Sequence, residues 1–394
     1  MKKLMFYCQH ILGMGHLVRS MEIVRGLIPD FQICFINGGE VIKEFPFPNG
    51  VEVINLPAIK TDSEFKALQV VDESLTLAEV QEIRKNQLLK IFDRFQPDIF
   101  MIELFPFGRG KFSFELIPLL NKIKSVSKPV KVVSSLRDIV VTKTNRIKYE
   151  DKVCNLMNKY FDLLLVHGDP IFYPLEETFT RLQDIKCEIK YTGFVVQKPS
   201  INPILNSEDK AIIESEKPLI LVSVGGGRFG HELIDGIIHS APILEQEIPH
   251  HIQIFTGPFI PNEKLEHWQN LVANLKNVRV SRYTTNLLSY MQKSDLSISM
   301  SGYNTTLNIM TTGVKAMILP FTGNNDQEQR MRANKLDKLA VVKMIQPNDL
   351  HPEIFATEII NYLKIENKTT EFDFNGVENT ALILKNLVLQ PQVV

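Results

Sequence analysis

Residues 218–231 read PLILVSVGGGRFGH. From Leu219 to Val224 the run is apolar except for Ser223, which fits a short strand covered on both faces. Four glycines follow within six residues: Gly225, Gly226, Gly227 and Gly230. Such a turn packs poorly but leaves backbone N–H groups able to surround a phosphate. The next stretch, HELIDGIIHSAPILEQE, reads as a helix. Strand, glycine turn and helix form the opening unit of a doubly wound sheet, whose ligands sit outside the carboxyl ends of the strands. The turn lacks the Gly-Lys-Ser/Thr ending of a P-loop, so NTP hydrolysis of that type is not indicated. Arg228 either adds a charge-assisted contact to a diphosphate or is simply solvated.

The cadence continues on both sides of this stretch. Downstream come HIQIFTGP, VRVSRY, LLSYMQK, DLSISMSG, NTTLNIMTTG and AMILPF. Upstream, LMFYCQHIL, FQICFING, VEVINLP, PDIFMIELF, VKVVSSL and DLLLVHG are strand candidates. Between them lie helix candidates such as SMEIVRGLI, LAEVQEIRKNQLLKIFDRF, FELIPLLNKIKSV and DKVCNLMNKYF. Continuous apolar strands alternating with helices predict an α/β protein with parallel sheets. The cadence halts after YTGFV, at a stretch rich in Pro, Asn and charge, and then restarts. This predicts two Rossmann-like domains, 1–196 and 218–375, joined by a linker at 197–217. Residues 376–394 read as a C-terminal helix packing back on the N-terminal domain.

Composition narrows the function. The 394 residues are 44% hydrophobic and 23% charged, enough to bury large cores, so wholesale disorder is out. Lys and Arg number 44 against 45 Asp and Glu, a net charge of −1, which argues against nucleic acid as a partner. Cys8, Cys34, Cys154 and Cys187 lie far apart, which disfavours a disulfide framework or a zinc ribbon. The opening apolar run carries Gln9 and His10, too polar at its end for an export signal, and reads as the first strand. No stretch approaches the ~18–20 apolar residues of a membrane span. A cytoplasmic protein is the expectation.

The first half has its own glycine turn after its first strand, Gly13-Met14-Gly15-His16-Leu17-Val18-Arg19. Val18 breaks the G-x-G-x-x-G fingerprint, so a dinucleotide cofactor is disfavoured. His16 in this place reads either as a base or as a structural histidine in a tight turn. In the second half, Ser301-Gly302-Tyr303-Asn304-Thr305-Thr306 follows another strand, where hydroxyls and amides either cap a helix or bind a diphosphate. The polar run Asn324–Arg330 after AMILPF is either an exposed loop or a set of sugar contacts.

These residues resemble an inverting GT-B glycosyltransferase, near the branch with the peptidoglycan N-acetylglucosaminyltransferase MurG and the plant galactolipid synthases. GMGHLVRS, IELFPFGR, SLRDI and HGDP are similar to motifs of a group of bacterial predicted glycosyltransferases. GGG-x-FG, SGYNTTLNIMTTG and DQEQRMRA are the more specific part. The resemblance implies a hexosyltransferase with two Rossmann-like domains facing each other across a cleft. The N-terminal domain would bind the acceptor and the C-terminal one a nucleotide-sugar, with no other cofactor. Gly225, Gly226, Gly227 and Arg228 would approach the diphosphate, and Ser301, Gly302, Asn304 and Thr305 would line the α/β-phosphate site. Asp326, Glu328 and Gln329 would face the donor sugar. Asn308 stands where the family usually has a ribose-binding Glu, which leaves the donor base less defined: UDP remains the first choice, with GDP and dTDP open.

His16 matches a histidine that acts as base on an acceptor hydroxyl, with Gly13, Gly15, Arg19 and Arg137 around the acceptor. Glu103, at the end of PDIFMIELF, would orient the imidazole, unless it merely pairs with Arg109 or Arg137. No D-x-D triplet occurs, and a metal-independent mechanism is expected. G-x-G-H-x-x-R also opens the UDP-sugar hydrolases of pseudaminic acid biosynthesis, which makes hydrolysis the runner-up; a third reading is a non-catalytic nucleotide-sugar-binding protein. The acceptor, a small molecule or a lipid, is not legible. Basic residues across 105–150 beside Phe105, Phe107, Phe112 and Phe114 read as a peripheral membrane contact at the inner face, or as a solvated face over buried phenylalanines.

Overall fold

The computed structural model describes residues 1–11, 15–42, 45, 47–61, 67–141, 145–199, 205–321, 323, 327–366, 368 and 370–389. The chain divides into two compact units, Met1–Val196 with Phe372–Val394, and Gln197–Glu371.

The first unit runs β1 (Lys2–Cys8), α1 (Gly15–Leu27), β2 (Phe31–Asn37), β3 (Val51–Asn55), β4 (Ile59–Thr61), β5 (Leu68–Val70), α2 (Leu77–Phe95) and β6 (Ile99–Glu103). It continues through α3 (Ser113–Ser125), β7 (Lys131–Arg137), α4 (Arg146–Tyr160), β8 (Leu163–His167) and β9 (Glu188–Tyr191). Seven strands form one parallel sheet in the order β3-β2-β1-β6-β7-β8-β9, and β4 and β5 make a small antiparallel hairpin. Alternate side chains of β1 serve two cores, because the strand has a period of two. Met5 and Tyr7 join Phe92 and Phe112 on one face, and Leu4 and Phe6 join Leu17 and Ile33 on the other.

The second unit runs α5 (Ser207–Ile213), β10 (Leu219–Ser223), α6 (His231–Glu247), β11 (His251–Phe255), α7 (Asn262–Leu271), β12 (Val278–Ser281) and α8 (Leu287–Lys293). Then come β13 (Leu296–Met300), α9 (Tyr303–Thr312), β14 (Ala316–Leu319), α10 (Glu328–Lys338), β15 (Lys343–Met344) and α11 (Pro352–Leu363). Its six strands are also parallel, in the order β12-β11-β10-β13-β14-β15. Every residue of β10 and of β13 is buried, the mark of a sheet covered on both faces.

A last helix, α12 (Gly376–Leu389), returns to the first unit and packs on α1. Leu384 is fully buried in the core that holds Leu17, Met21 and Val24. The approach is close: a Cβ on Gly26 would lie 2.2 Å from Val377 Cγ1, and one on Gly376 would lie 2.5 Å from the Phe194 backbone.

The apolar cadence in the sequence names neither the three-residue strands β4 and β5 nor α7 and α11. It also carries the first strand too far. β1 stops at Cys8, and the Gln9 side chain turns back to accept a hydrogen bond from Arg84 at 2.7 Å. Truncating Leu384 to Ala removes a fully buried side chain where α12 joins α1. This should lower the stability of the first unit by ~2–5 kcal/mol, read as a lower urea midpoint by circular dichroism.

Candidate functional site

Each sheet has one point where the strand order reverses: between β1 and β6 in the first, and between β10 and β13 in the second. Ligands of such sheets sit outside the carboxyl ends of the strands at that point. In the first unit the two ends carry His16, in the first turn of α1, and Glu103, the last residue of β6.

His16 Nδ1 lies 2.5 Å from Glu103 Oε1. Arg19, one turn further along α1, donates from Nη2 to the same oxygen. The Ser135 hydroxyl on β7 lies 3.3 Å from Glu103 Oε2. Glu103 and Arg19 are buried, while His16 keeps 14% of its side chain exposed. Burial by itself would favour a protonated Glu103. The Arg19 guanidinium and the hydrogen bonds from His16 and Arg19 outweigh it and hold the carboxyl well below its usual range. An ionised Glu103 can only accept, so His16 carries its proton on Nδ1 and presents a bare Nε2. Burial, together with the charges of Arg137 and Arg109, pushes the imidazole down to about 3, so it is neutral at physiological pH. Arg109 sits in the left-handed region at φ 59 and reaches over the end of β1, donating from Nε to the Gln9 carbonyl at 2.6 Å. The alternative reading paired Glu103 with Arg109 or Arg137; Arg109 feels the charge of Glu103, and Arg19, which α1 turns toward β6, is hydrogen-bonded to it. Gly13 lies outside the described residues, and Gly15 opens α1.

In the second unit the glycine turn is shaped by close backbone approach. Gly225, Gly227 and Gly230 have φ of 64, 86 and 83°, conformations that side chains rarely adopt. A Cβ on Gly227 would lie 2.3 Å from the Thr256 carbonyl. Gly257, which the sequence reading did not single out, packs from the end of β11 against Gly225 and Gly226, with a Cβ position 2.4 Å from the Gly225 carbonyl. A glycine two residues after an apolar strand, in HIQIFTG, was the available signal. His231 braces the turn: its Nε2 donates to the Gly227 carbonyl at 2.9 Å, and its Nδ1 accepts from Lys264 at 2.6 Å. Arg228 is exposed and stacks on Phe259, 4.8 Å from the ring centre.

Across the reversal point, Ser301 is buried and Gly302 caps α9 with no side-chain hydrogen bond. A Cβ on Gly302 would meet nothing within 4 Å, so the space beside the cap residue is open. Asn304 and Thr305, both half-buried, lie in that first turn, and Asn308 is buried one turn later. The polar run after β14 divides. Asp326 lies outside the described residues. Glu328, expected to face a sugar, is buried and accepts from Arg332 at 3.0 Å, as i,i+4 partners on a helix do. Gln329 Oε1 accepts from the Phe321 N–H at 3.1 Å, and the Ser301 hydroxyl lies 3.5 Å from the same atom. Gln329 therefore ties this segment to the end of β13.

Phe105, Phe107 and Phe112 are buried in the first core, so the apolar half of the membrane reading is taken up by packing. No helix among the described residues is long and apolar enough to cross a membrane.

Comparison with known proteins agrees with this architecture. Residues 220–375 match the glycosyltransferase family 28 C-terminal domain. An uncharacterized glycosyltransferase of Methanosarcina acetivorans is 22% identical over 338 residues, covering 83% of this chain and 82% of that protein. The UDP-N-acetylglucosamine–N-acetylmuramyl-(pentapeptide) pyrophosphoryl-undecaprenol N-acetylglucosamine transferase of Thermotoga neapolitana is 22% identical over 219 residues, 56% of this chain and 57% of its own length. The crystal structure of Acinetobacter baumannii MurG superposes with a TM-score of 0.56 at 15% identity, covering 99% of both chains. The fold is GT-B. Residues 220–375 thus carry the likeness to the glycosyltransferase family 28 C-terminal domain, and the relatives that extend it along the chain are named as glycosyltransferases.

Three buried histidines make acid costly. Burial pushes His10 down to about 4, and His16 and His167 down to about 3. A lowered pKa means that the unfolded chain binds more protons, so the stability is complete above the ordinary histidine value near 6.5 and drains as pH falls toward 4. Each group contributes a slope of up to about 1.4 kcal/mol per pH unit in that window. The urea midpoint of the first unit should fall steadily between pH 7 and 4.5; a flat profile would contradict the neutral, buried imidazoles.

Proposed function

We propose that the protein is an inverting, metal-independent glycosyltransferase that moves a hexose from a nucleoside-diphosphate sugar, UDP first, to an acceptor hydroxyl. The observation that carries this reading is the His16–Glu103 contact at the reversal point of the first sheet. With Nδ1–H committed to a carboxylate, Nε2 is left to take a proton from an attacking hydroxyl. Glu103 then stabilises the imidazolium that forms, while Arg19 keeps Glu103 ionised. The neutral resting state matters, because a protonated His16 accepts nothing.

The second unit supplies the donor side of the reading. The Gly225–Gly230 turn and the glycine-capped start of α9 flank one crevice, and backbone N–H groups of both would meet a leaving diphosphate. The growing negative charge is met by these dipoles and by Arg228. UDP is favoured as donor base because the Thermotoga relative is named for a UDP-sugar. Asn308 offers an uncharged hydrogen-bonding group for a ribose. A diphosphate is already a good leaving group, so no protein acid is needed.

Calorimetry should show UDP binding with EDTA present, with little change when Mg²⁺ is added. Binding by no nucleoside diphosphate, or only with a divalent ion, would remove the donor half of the reading. His16→Ala should lower turnover by roughly 10²–10⁴-fold while UDP affinity stays within about twofold. Near-normal turnover by a folded His16→Ala protein would sink the base assignment. Rapid release of free sugar without any acceptor would instead make the protein a hydrolase.

A further inference from the structure

Glu103 is the near end of a longer buried chain. Its Oε2 lies 3.3 Å from the Ser135 hydroxyl, and that hydroxyl lies 2.9 Å from His167 Nε2. His167 Nδ1 is 2.9 Å from the Thr192 hydroxyl, which lies 2.8 Å from the Gly193 carbonyl. Glu103, Ser135, His167 and Thr192 are all fully buried. They come from the ends of three neighbouring strands and the turn after a fourth, β6, β7, β8 and β9, so adjacent parallel strands set the spacing.

Two proton arrangements fit these distances. In one, Thr192 donates to Gly193, His167 donates from Nδ1 to Thr192, and Ser135 donates to His167. Ser135 then has no proton for Glu103. In the other, Thr192 donates to His167 Nδ1, His167 donates from Nε2 to Ser135, and Ser135 donates to Glu103 Oε2. The second gives up a neutral bond to Gly193 and gains one to a carboxylate, and charge-assisted bonds are roughly twice as strong as neutral ones. An ionised Glu103 therefore selects the second arrangement. Hydrogen bonds running the same way also polarise one another in a low-dielectric interior.

We propose that Ser135 and His167 are positioning residues for His16: with Thr192 they form a directed hydrogen-bond chain that fixes the Glu103 carboxylate, and through it the imidazole. The consequence for the reaction rests on the reading of His16 as the base. Arg19 holds one oxygen of Glu103 and the chain holds the other, so the carboxylate cannot rotate off His16 Nδ1. Neither Ser135 nor His167 touches the reacting atoms.

The test uses the full-length protein labelled with ¹⁵N-histidine. The expected spectrum shows His167 neutral with its proton on Nε2, and Ser135→Ala shifts the His16 Nδ1–H resonance across the carboxylate. A proton on His167 Nδ1, or a His16 resonance unmoved by Ser135→Ala, overturns the chain. Turnover then separates the two claims. His167→Leu should lower kcat roughly 5- to 30-fold, with UDP affinity unchanged, and His167→Gln, which keeps a donor near Nε2, should recover most of it. In the His16→Ala background, either Ser135→Ala or His167→Leu should cost nothing more, because the chain acts only through that imidazole. Equal losses in both backgrounds overturn the positioning role. Normal turnover by His16→Ala itself, with the spectrum as expected, overturns the base and leaves the chain standing. If His167→Leu fails to fold, Ser135→Ala and His167→Gln carry the same comparison.

Discussion

A carboxylate sealed from water is the constraint around which the first unit is arranged. An isolated buried charge costs several kcal/mol, and it persists only where its partners are fixed. Glu103 meets this with Arg19 from α1, His16 from the same helix and Ser135 from β7. Those partners set requirements in turn. α1 must leave the end of β1 in a register that turns both its second and its fifth residue toward β6. β7 must lie beside β6, with Ser135 opposite Glu103, which is the pairing observed. The functional crevice and the folding problem of the first unit are thus one arrangement, and a change in any partner is felt by the others.

The second unit answers a different demand. At its glycine turn it needs backbone brought into close contact with backbone. That is why its shape depends on glycines at the ends of two neighbouring strands, where the Gly225–Gly227 turn and Gly257 touch backbone to backbone. His231 and Lys264 stiffen this turn from the helix side, so the amides are held before any ligand arrives. One unit offers a base tuned by buried charge, and the other offers dipoles tuned by backbone geometry.

The fold was legible in the sequence because parallel strands are buried on both faces and therefore read as uninterrupted apolar runs. LILVS and LLLVH carry that signal; three-residue strands such as β4 and β5 do not. Helix α7 was silent for a related reason: among NEKLEHWQNL only Trp268 is buried, so no apolar stripe is visible. The strand-end position of His16 and Glu103 was readable, since each follows an apolar run. That Arg19 would meet Glu103 was not, because it depends on the rotation of α1. Ser135 and His167 were not singled out, because a serine in VKVVSSL and a histidine closing DLLLVH carry no sign in the sequence that they face one another across neighbouring strands. The Glu328–Arg332 pair was readable, since an acid four residues before an arginine at a helix start is a common intrahelical pair.

The return of α12 to α1 has a consequence for how the protein is made. The first unit is discontinuous along the chain: residues 197–371 are synthesised between β9 and the helix that covers α1. At ~5–20 residues per second, that interval lasts on the order of ten to forty seconds on the ribosome. Throughout it, the apolar face of α1 that Leu384 will cover stays uncovered, while the second unit has every residue it needs to fold. Vectorial synthesis therefore completes the younger unit first, and the older one waits for its last helix to emerge.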